Sequence, residues 1–130
     1  MTGGQMAPTT LEGQVTTTTP YGRDVDLTGL PMKVSEIISA IDGSGFVVRC
    51  AVDTIKNINQ TKKAMKRAIE YQLNGWGFSL VEIISTCPTN WKMTPEQSNK
   101  HLVEKMFPYY PLGIFKDAQA IKVAAAKGDN

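Results

Sequence analysis

The sequence predicts an α/β fold, a partial parallel sheet flanked by helices, and three observations predict it. Residues 45–52, with Phe46-Val47-Val48-Arg49-Cys50-Ala51-Val52, form a short apolar run suited to a buried strand. Residues 78–84, Phe78-Ser79-Leu80-Val81-Glu82-Ile83-Ile84, form a second run rich in β-branched and aromatic residues. Between them, and again on either side, apolar residues recur at helical spacing. Helix, strand, helix, strand, helix is the alternation of a layered α/β domain. The middle helix is expected to make a right-handed crossover joining parallel strands. Two strong strands fall short of the roughly 4–6 usual in a free-standing sheet, so the expectation is half of a larger layered domain.

In chain order, residues 1–31 are rich in Thr, Gly and Pro and read as a ligand-side loop and connector. Within them, Thr16 to Thr19 is a β-branched polar run, poor for helix and neutral for extended chain. Pro20-Tyr21-Gly22-Arg23-Asp24 reads as a turn. Residues 32–115 read as the α/β core. Val34, Ile37, Ile38 and Ile41 have helical spacing, and Gly43 stops that helix. Asn57 to Leu73 is the crossover helix, with Ile58, Met65, Ala68, Ile69 and Leu73 as its apolar face. Lys62, Lys63, Lys66, Arg67 and Glu70 lie mostly on the other face, and Gly75 ends the helix. The loop Ser85 to Trp91 follows the second strand. Thr94-Pro95-Glu96-Gln97 then marks a helix start with a Thr cap, Pro at the first helical position and Gln closing a capping box. That helix is expected to run to about Met106 and to break at Pro108-Tyr109-Tyr110-Pro111-Leu112-Gly113. Residues 116–130 read as a weak, Ala-rich helical tail.

Bulk properties remove several function classes. The 130 residues carry a formal net charge of +2, with 42% hydrophobic and 20% charged residues, ordinary values for a soluble globular chain. That charge is too small to imply nucleic acid or a membrane surface as partner. The basic face of the crossover helix, interrupted by Glu70, reads as solvated, and Trp76, Trp91, Tyr109 and Tyr110 read as packing against core edges. No apolar run approaches the roughly 20 residues that cross a bilayer, and nothing reads as a signal peptide. Two cysteines without a secretory signal make no disulfide framework, which points to a reducing cytoplasmic setting.

Two places could carry chemistry. The opening stretch Met1-Thr2-Gly3-Gly4-Gln5-Met6-Ala7-Pro8-Thr9-Thr10 looks like part of a functional loop. Gly3 and Gly4 let backbone approach a ligand closely, and Thr2, Gln5, Thr9 and Thr10 supply donors and acceptors beside it. The second place is Cys87, just past the carboxyl end of the second strand, where open α/β sheets bind ligands. A thiolate there could ligate a metal or cluster, or act as a nucleophile. A zinc site needs three or four ligands and an iron–sulfur cluster four thiolates. The only histidine, His101, lies on the third helix, where a solvent-facing place is expected. Spacing alone therefore favours an inert Cys87 thiol. Cys50 reads as a small buried hydrophobe.

Four segments together resemble one family. They are Met1 to Thr10, Thr16-Thr17-Thr18-Thr19-Pro20-Tyr21-Gly22-Arg23, Ser85-Thr86-Cys87-Pro88-Thr89-Asn90-Trp91 and Tyr109-Tyr110-Pro111-Leu112-Gly113-Ile114-Phe115-Lys116-Asp117. In order and spacing the chain resembles the C-terminal half of the thiamine-diphosphate-binding β subunit of 2-oxoacid:ferredoxin oxidoreductases, in the branch acting on 2-oxoisovalerate or 2-oxoglutarate. The resemblance covers nearly all of the chain except the Ala-rich tail. It implies a subunit that binds thiamine diphosphate through Mg²⁺, held by a Gly-Asp-Gly motif and an Asn. The loop matched here by Thr2, Gly3, Gly4 and Gln5 would lie against that cofactor, and Met1 would help shape the substrate pocket. It also implies a 4Fe–4S cluster on four cysteines, one of them matched by Cys87, which reverses the inert-thiol reading. Cys50 matches no ligand position, and no catalytic residue is assigned in this chain.

The reaction so implied is CoA-dependent oxidative decarboxylation of a 2-oxoacid with electron transfer to ferredoxin. The implied partners are the N-terminal half of the β subunit, α-, γ- and δ-type subunits, ferredoxin, the 2-oxoacid and coenzyme A. The Gly-Asp-Gly motif, the Mg²⁺-ligating Asn and the other three cysteines do not occur in this sequence. A C-terminal piece or a split subunit is therefore expected, inactive by itself and binding neither cofactor alone, with an apolar patch that favours self-association. The alternative is a non-catalytic α/β interaction module that docks a partner through residues 1–31 and 107–115.

Overall fold

The computed structural model describes residues 5–122. The chain divides into two compact units, one from residues 1–33 and 86–110, the other from 34–85 and 111–130.

The second unit holds the sheet. Its elements are α2 (Val34–Ser39), β1 (Ser44–Ala51), α3 (Ile55–Leu73), β2 (Phe78–Ile84) and β3 (Gly113–Asp117). The strand order is β2-β1-β3. β1 pairs in parallel with β2, Phe46 opposite Ser79 through Ala51 opposite Ile84. It pairs antiparallel with β3, Val48 opposite Ile114 and Phe46 opposite Asp117. The sheet is thus mixed, with the expected parallel pair and one added antiparallel edge. Flanked on both sides, β1 is buried along its whole length, in keeping with an apolar run broken only by Ser44 and the paired Arg49.

Side chains alternate across β1. Phe46, Val48 and Cys50 pack with Ala64 and Tyr71 of α3, and Ala68 and Val81 close over that cluster. Gly45 lets the chains approach here, because a Cβ would stand 2.6 Å from the Trp76 carbonyl and 2.7 Å from the Tyr71 ring. On the other face, Arg49 is buried and paired with Glu36 of α2 and Glu82 of β2. Ser35 donates a hydrogen bond to Glu82 as well.

Three sequence expectations need correction in this unit. The apolar stripe of α3 is its core face only in part: Ala68 packs against the core cluster, but Met65, Ile69 and Leu73 are 50%, 57% and 82% exposed, whereas Thr61, Ala64 and Tyr71 are buried. A small residue and a hydroxyl let the helix sit close to β1; Thr61 meets the strand by donating to the Ala51 carbonyl at 2.8 Å. In α2 Ser35 is buried, donating to Glu82, while Ile37 is half exposed, and Ile41, expected on the same helix, lies beyond its end and is half exposed too. Finally, residues 113–117 form a strand rather than the end of a break and the start of a tail, and among the described residues helix follows over 118–122.

The first unit contains α1 (Val25–Thr28), α4 (Pro88–Trp91), α5 (Pro95–His101), a π-helical turn (Leu102–Met106) and α6 (Phe107–Tyr109). The capping box at Thr94 and Gln97 forms with both reciprocal bonds. Helical geometry runs past Pro108 instead of breaking there. The π turn shifts the hydrogen-bond register, so that the Phe107 N–H reaches the Leu102 carbonyl, and Pro108, which lacks an N–H, sits at the start of α6.

Residues 8–31 are ordered by one side chain. Arg23, 5% exposed, donates to the carbonyls of Pro8, Thr10 and Gly29 at 3.0, 2.6 and 2.8 Å, and to Leu30 at 3.2 Å. Asp24 then caps α1 by accepting from the N–H groups of Asp26 and Leu27.

Candidate functional site

Cys87 is exposed, and Cys50 is buried. Cys87 occupies the cap position of α4, where its carbonyl accepts the Trp91 N–H at 2.9 Å and its side chain makes no capping bond. The helix ends at Lys92, which takes the left-handed conformation with φ of 54°. α5 begins three residues later, at Pro95. Cys87 therefore stands on a tight helix–turn–helix corner with its sulfur uncommitted to the backbone.

Burial pushes the Cys50 thiol up, against a smaller lowering by Thr61. Cys50 is accordingly held protonated inside the core and is unsuited to be a metal ligand or nucleophile.

The remainder of the corner comes from distant parts of the sequence. The Asn90 carbonyl accepts the Thr17 N–H at 2.9 Å and the Thr17 hydroxyl at 3.3 Å. The Trp91 ring meets the His101 ring edge-on, with centroids 5.2 Å apart. His101 in turn lies 3.4 Å, Nε2 to Nε2, from the Gln14 amide. It is half-buried, not solvent-facing as its place on a helix implied. Burial first, and the nearby Lys105 charge second, lower its pKa, so the ring is neutral at pH 7. Sequence reasoning missed Gln14, Thr17 and His101 as neighbours of the Cys87 corner. Only the density of hydroxyl residues at 16–19 hinted that this segment bonds to something.

Of the opening loop, Thr2, Gly3 and Gly4 lie outside the described residues. Gln5 is described and exposed.

Among the described residues, no group of three or more His, Cys, Asp and Glu side chains is gathered to hold a metal ion. Cys87 alone offers one accessible thiol on that corner, where a 4Fe–4S centre takes four thiolates. No helix of the described residues is long and apolar enough to cross a membrane.

A separate cleft of about 520 Å³ lies within the second unit, lined by Phe46, Val48 and Cys50 of β1, Lys63 and Arg67 of α3 and Ile114 of β3. Beside it Arg67 is hydrogen-bonded to Asp117, which also accepts from the Tyr71 hydroxyl at 2.6 Å.

The chain is similar to subunits of 2-oxoacid oxidoreductases. It is 41% identical over 120 residues to the ketoisovalerate oxidoreductase subunit VorA of Methanothermobacter thermautotrophicus, a match covering 92% of this chain and 25% of that protein. It is 36% identical over 104 residues to the 2-oxoglutarate synthase subunit KorB of Archaeoglobus fulgidus, covering 80% of this chain and 34% of that protein. The KorB subunit of Methanocaldococcus jannaschii is 35% identical over 89 residues, 68% of this chain and 28% of that protein. The chain spans between a quarter and about a third of the length of these relatives. No protein-family model matches the chain, and no solved structure matches it.

Proposed function

We propose that this chain is part of the thiamine-diphosphate-binding β subunit of a cytoplasmic 2-oxoacid:ferredoxin oxidoreductase, from its C-terminal half, in the ketoisovalerate and 2-oxoglutarate branch. The observation that carries the reading is the similarity over 92% of the chain to a ketoisovalerate oxidoreductase subunit. The exposed Cys87 thiol on the tight α4 corner supports it. In this reading Thr2, Gly3, Gly4 and Gln5 belong to the loop against thiamine diphosphate and its Mg²⁺, and Cys87 is one ligand of a 4Fe–4S cluster. The cluster, when bound, accepts and passes electrons singly. What the chain itself does is present one thiolate and close one side of the cofactor site. A cluster takes four thiolates and the chain has two cysteines, one of them buried. Other segments or subunits therefore complete the site, and the chain alone is inactive. The assembled enzyme would use coenzyme A and a 2-oxoacid and reduce ferredoxin.

The test is made in the assembled subunit complex. Cys87→Ser is expected to lose the electron paramagnetic resonance signal of the reduced cluster, to lower the iron-to-protein ratio and to abolish ferredoxin reduction with 2-oxoisovalerate or 2-oxoglutarate. Cys50→Ala is expected to keep all three. Full iron content and signal in Cys87→Ser would remove the cluster role and leave the interaction module as the better account.

A further inference from the structure

We propose that Thr17 and His101 are positioning residues for Cys87. Together with Gln14, Thr16 and Thr19 they form a seat that fixes the α4 corner and so sets the direction in which the sulfur is presented. The inference rests on the cluster role proposed above and extends it to side chains that do not touch the cluster.

A helix of four residues does not hold itself in water, because nucleation costs more than so few bonds return. α4 buries none of its residues, so it is not held by a core of its own. Its last two residues, Asn90 and Trp91, are held instead by two contacts from elsewhere, and the Trp91 N–H ties them back to the Cys87 carbonyl at 2.9 Å. Thr17 gives both its N–H and its hydroxyl to the Asn90 carbonyl, and His101 meets the Trp91 ring edge-on.

Both anchors belong to one hydrogen-bonded web. The Thr16 and Thr19 hydroxyls lie 2.8 Å apart, and the Thr19 hydroxyl donates to the Gln14 carbonyl at 2.8 Å. Thr16 and Thr19 also exchange backbone bonds across the tight turn. Gln14 uses its side-chain oxygen to accept the Leu11 N–H, and its amide nitrogen faces His101. The contacts close into a ring, from the α4 corner through Trp91, His101, Gln14 and Thr19 to Thr16, Thr17, Asn90 and back to α4. Thr16, Thr19 and Gln14 are buried, and burying such groups is tolerated because each is bonded.

This web adds little apolar burial to the fold. What it fixes is an exposed turn whose one reactive group is the Cys87 thiol. The potential of an iron–sulfur cluster depends on ligand orientation and on hydrogen bonds and solvent near the sulfurs. A seat that holds the corner still would hold that potential at one value.

The experiment uses the assembled, cluster-loaded complex and reads iron content, the resonance line shape of the reduced cluster and its midpoint potential. His101→Ala removes the ring under Trp91, and Thr17→Val removes the hydroxyl from an exposed position while keeping the N–H. Each is expected to retain iron, to broaden the signal and to shift the reduction equilibrium by about threefold or more. His101→Phe restores a ring edge for Trp91 and is expected to return the potential towards that of the unsubstituted complex. Should His101→Ala fail to assemble, Thr17→Val alone decides. An unchanged line shape and potential in the variants, with the signal still lost in Cys87→Ser, overturns the seat and spares the cluster role. A signal that survives Cys87→Ser overturns the cluster role itself.

Discussion

Arg23 and Arg49 are both buried, and they are satisfied in opposite ways. Arg23 donates to backbone carbonyls gathered from residues 8–30, whereas Arg49 pairs with the carboxylates of Glu36 and Glu82. A fork of five donors suits both tasks, and an ammonium with three suits neither. Arg23→Lys is therefore expected to leave at least one buried carbonyl without a donor and to cost about 1–3 kcal/mol, read as a lowered urea midpoint. Arg49→Met strands two carboxylates, of which Glu82 is the more enclosed, and is expected to cost about 3 kcal/mol or more. Neither arginine could be assigned a buried place from sequence. Partners that are backbone carbonyls leave no mark in residue types, and Glu36 and Glu82 lie 13 and 33 residues from Arg49. Cys87 could be singled out because its place after a strand is a local fact. Its neighbours Thr17 and His101 are joined to it only by folding.

α3 shows how much of an element its own pattern contains. The 3.6-residue period fixes its existence and Gly75 its end, but the start lies at Ile55, two residues before the expected Asn57, where the Thr54 hydroxyl caps the helix. The face that packs is set by Thr61, Ala64, Ala68 and Tyr71 rather than by the larger aliphatic side chains of the expected stripe. Tyr71 is fully buried and stacks on Phe46 with ring centroids 5.5 Å apart. Tyr71→Ala is expected to cost about 3–5 kcal/mol, as other large aromatic truncations do. Ile69→Ala, on the half-exposed stripe, is expected to stay within about 0.5 kcal/mol. Thermal unfolding of the two variants side by side checks the assignment, and the order reverses if the apolar stripe is the core face. β3 was illegible for a related reason. Gly113-Ile114-Phe115-Lys116-Asp117 has no clean alternation, and it becomes a strand only by pairing with β1 more than 60 residues away. β1 and β2, rich in β-branched and aromatic residues, needed no such partner to be read.

At the scale of the whole chain, the two units carry different titrating groups, and this gives them different acid limits. In the first unit His101 has its pKa lowered by burial and by Lys105. The folded form binds that proton less readily than the unfolded chain, so its contribution is complete above the ordinary histidine value of 6.5. It is lost as pH falls through the lower folded value. In the second unit burial works to raise the Asp117 pKa, but hydrogen bonds from Tyr71, the Ala120 N–H and Arg67 outweigh it and leave the carboxyl below its ordinary 3.8. Its contribution is complete above 3.8 and is lost only as pH falls through the depressed folded value. Acidification from pH 7 is thus expected to loosen residues 86–110 first, while β1, β2 and α3 keep their protection to below about pH 4. Amide hydrogen exchange read by mass spectrometry at stepped pH, corrected for the intrinsic exchange rate, follows both regions in one sample. His101→Phe is expected to remove the early step and leave the late one. Loss of both regions in a single step near pH 4 would show that the His101 corner adds nothing to the stability of its unit at neutral pH.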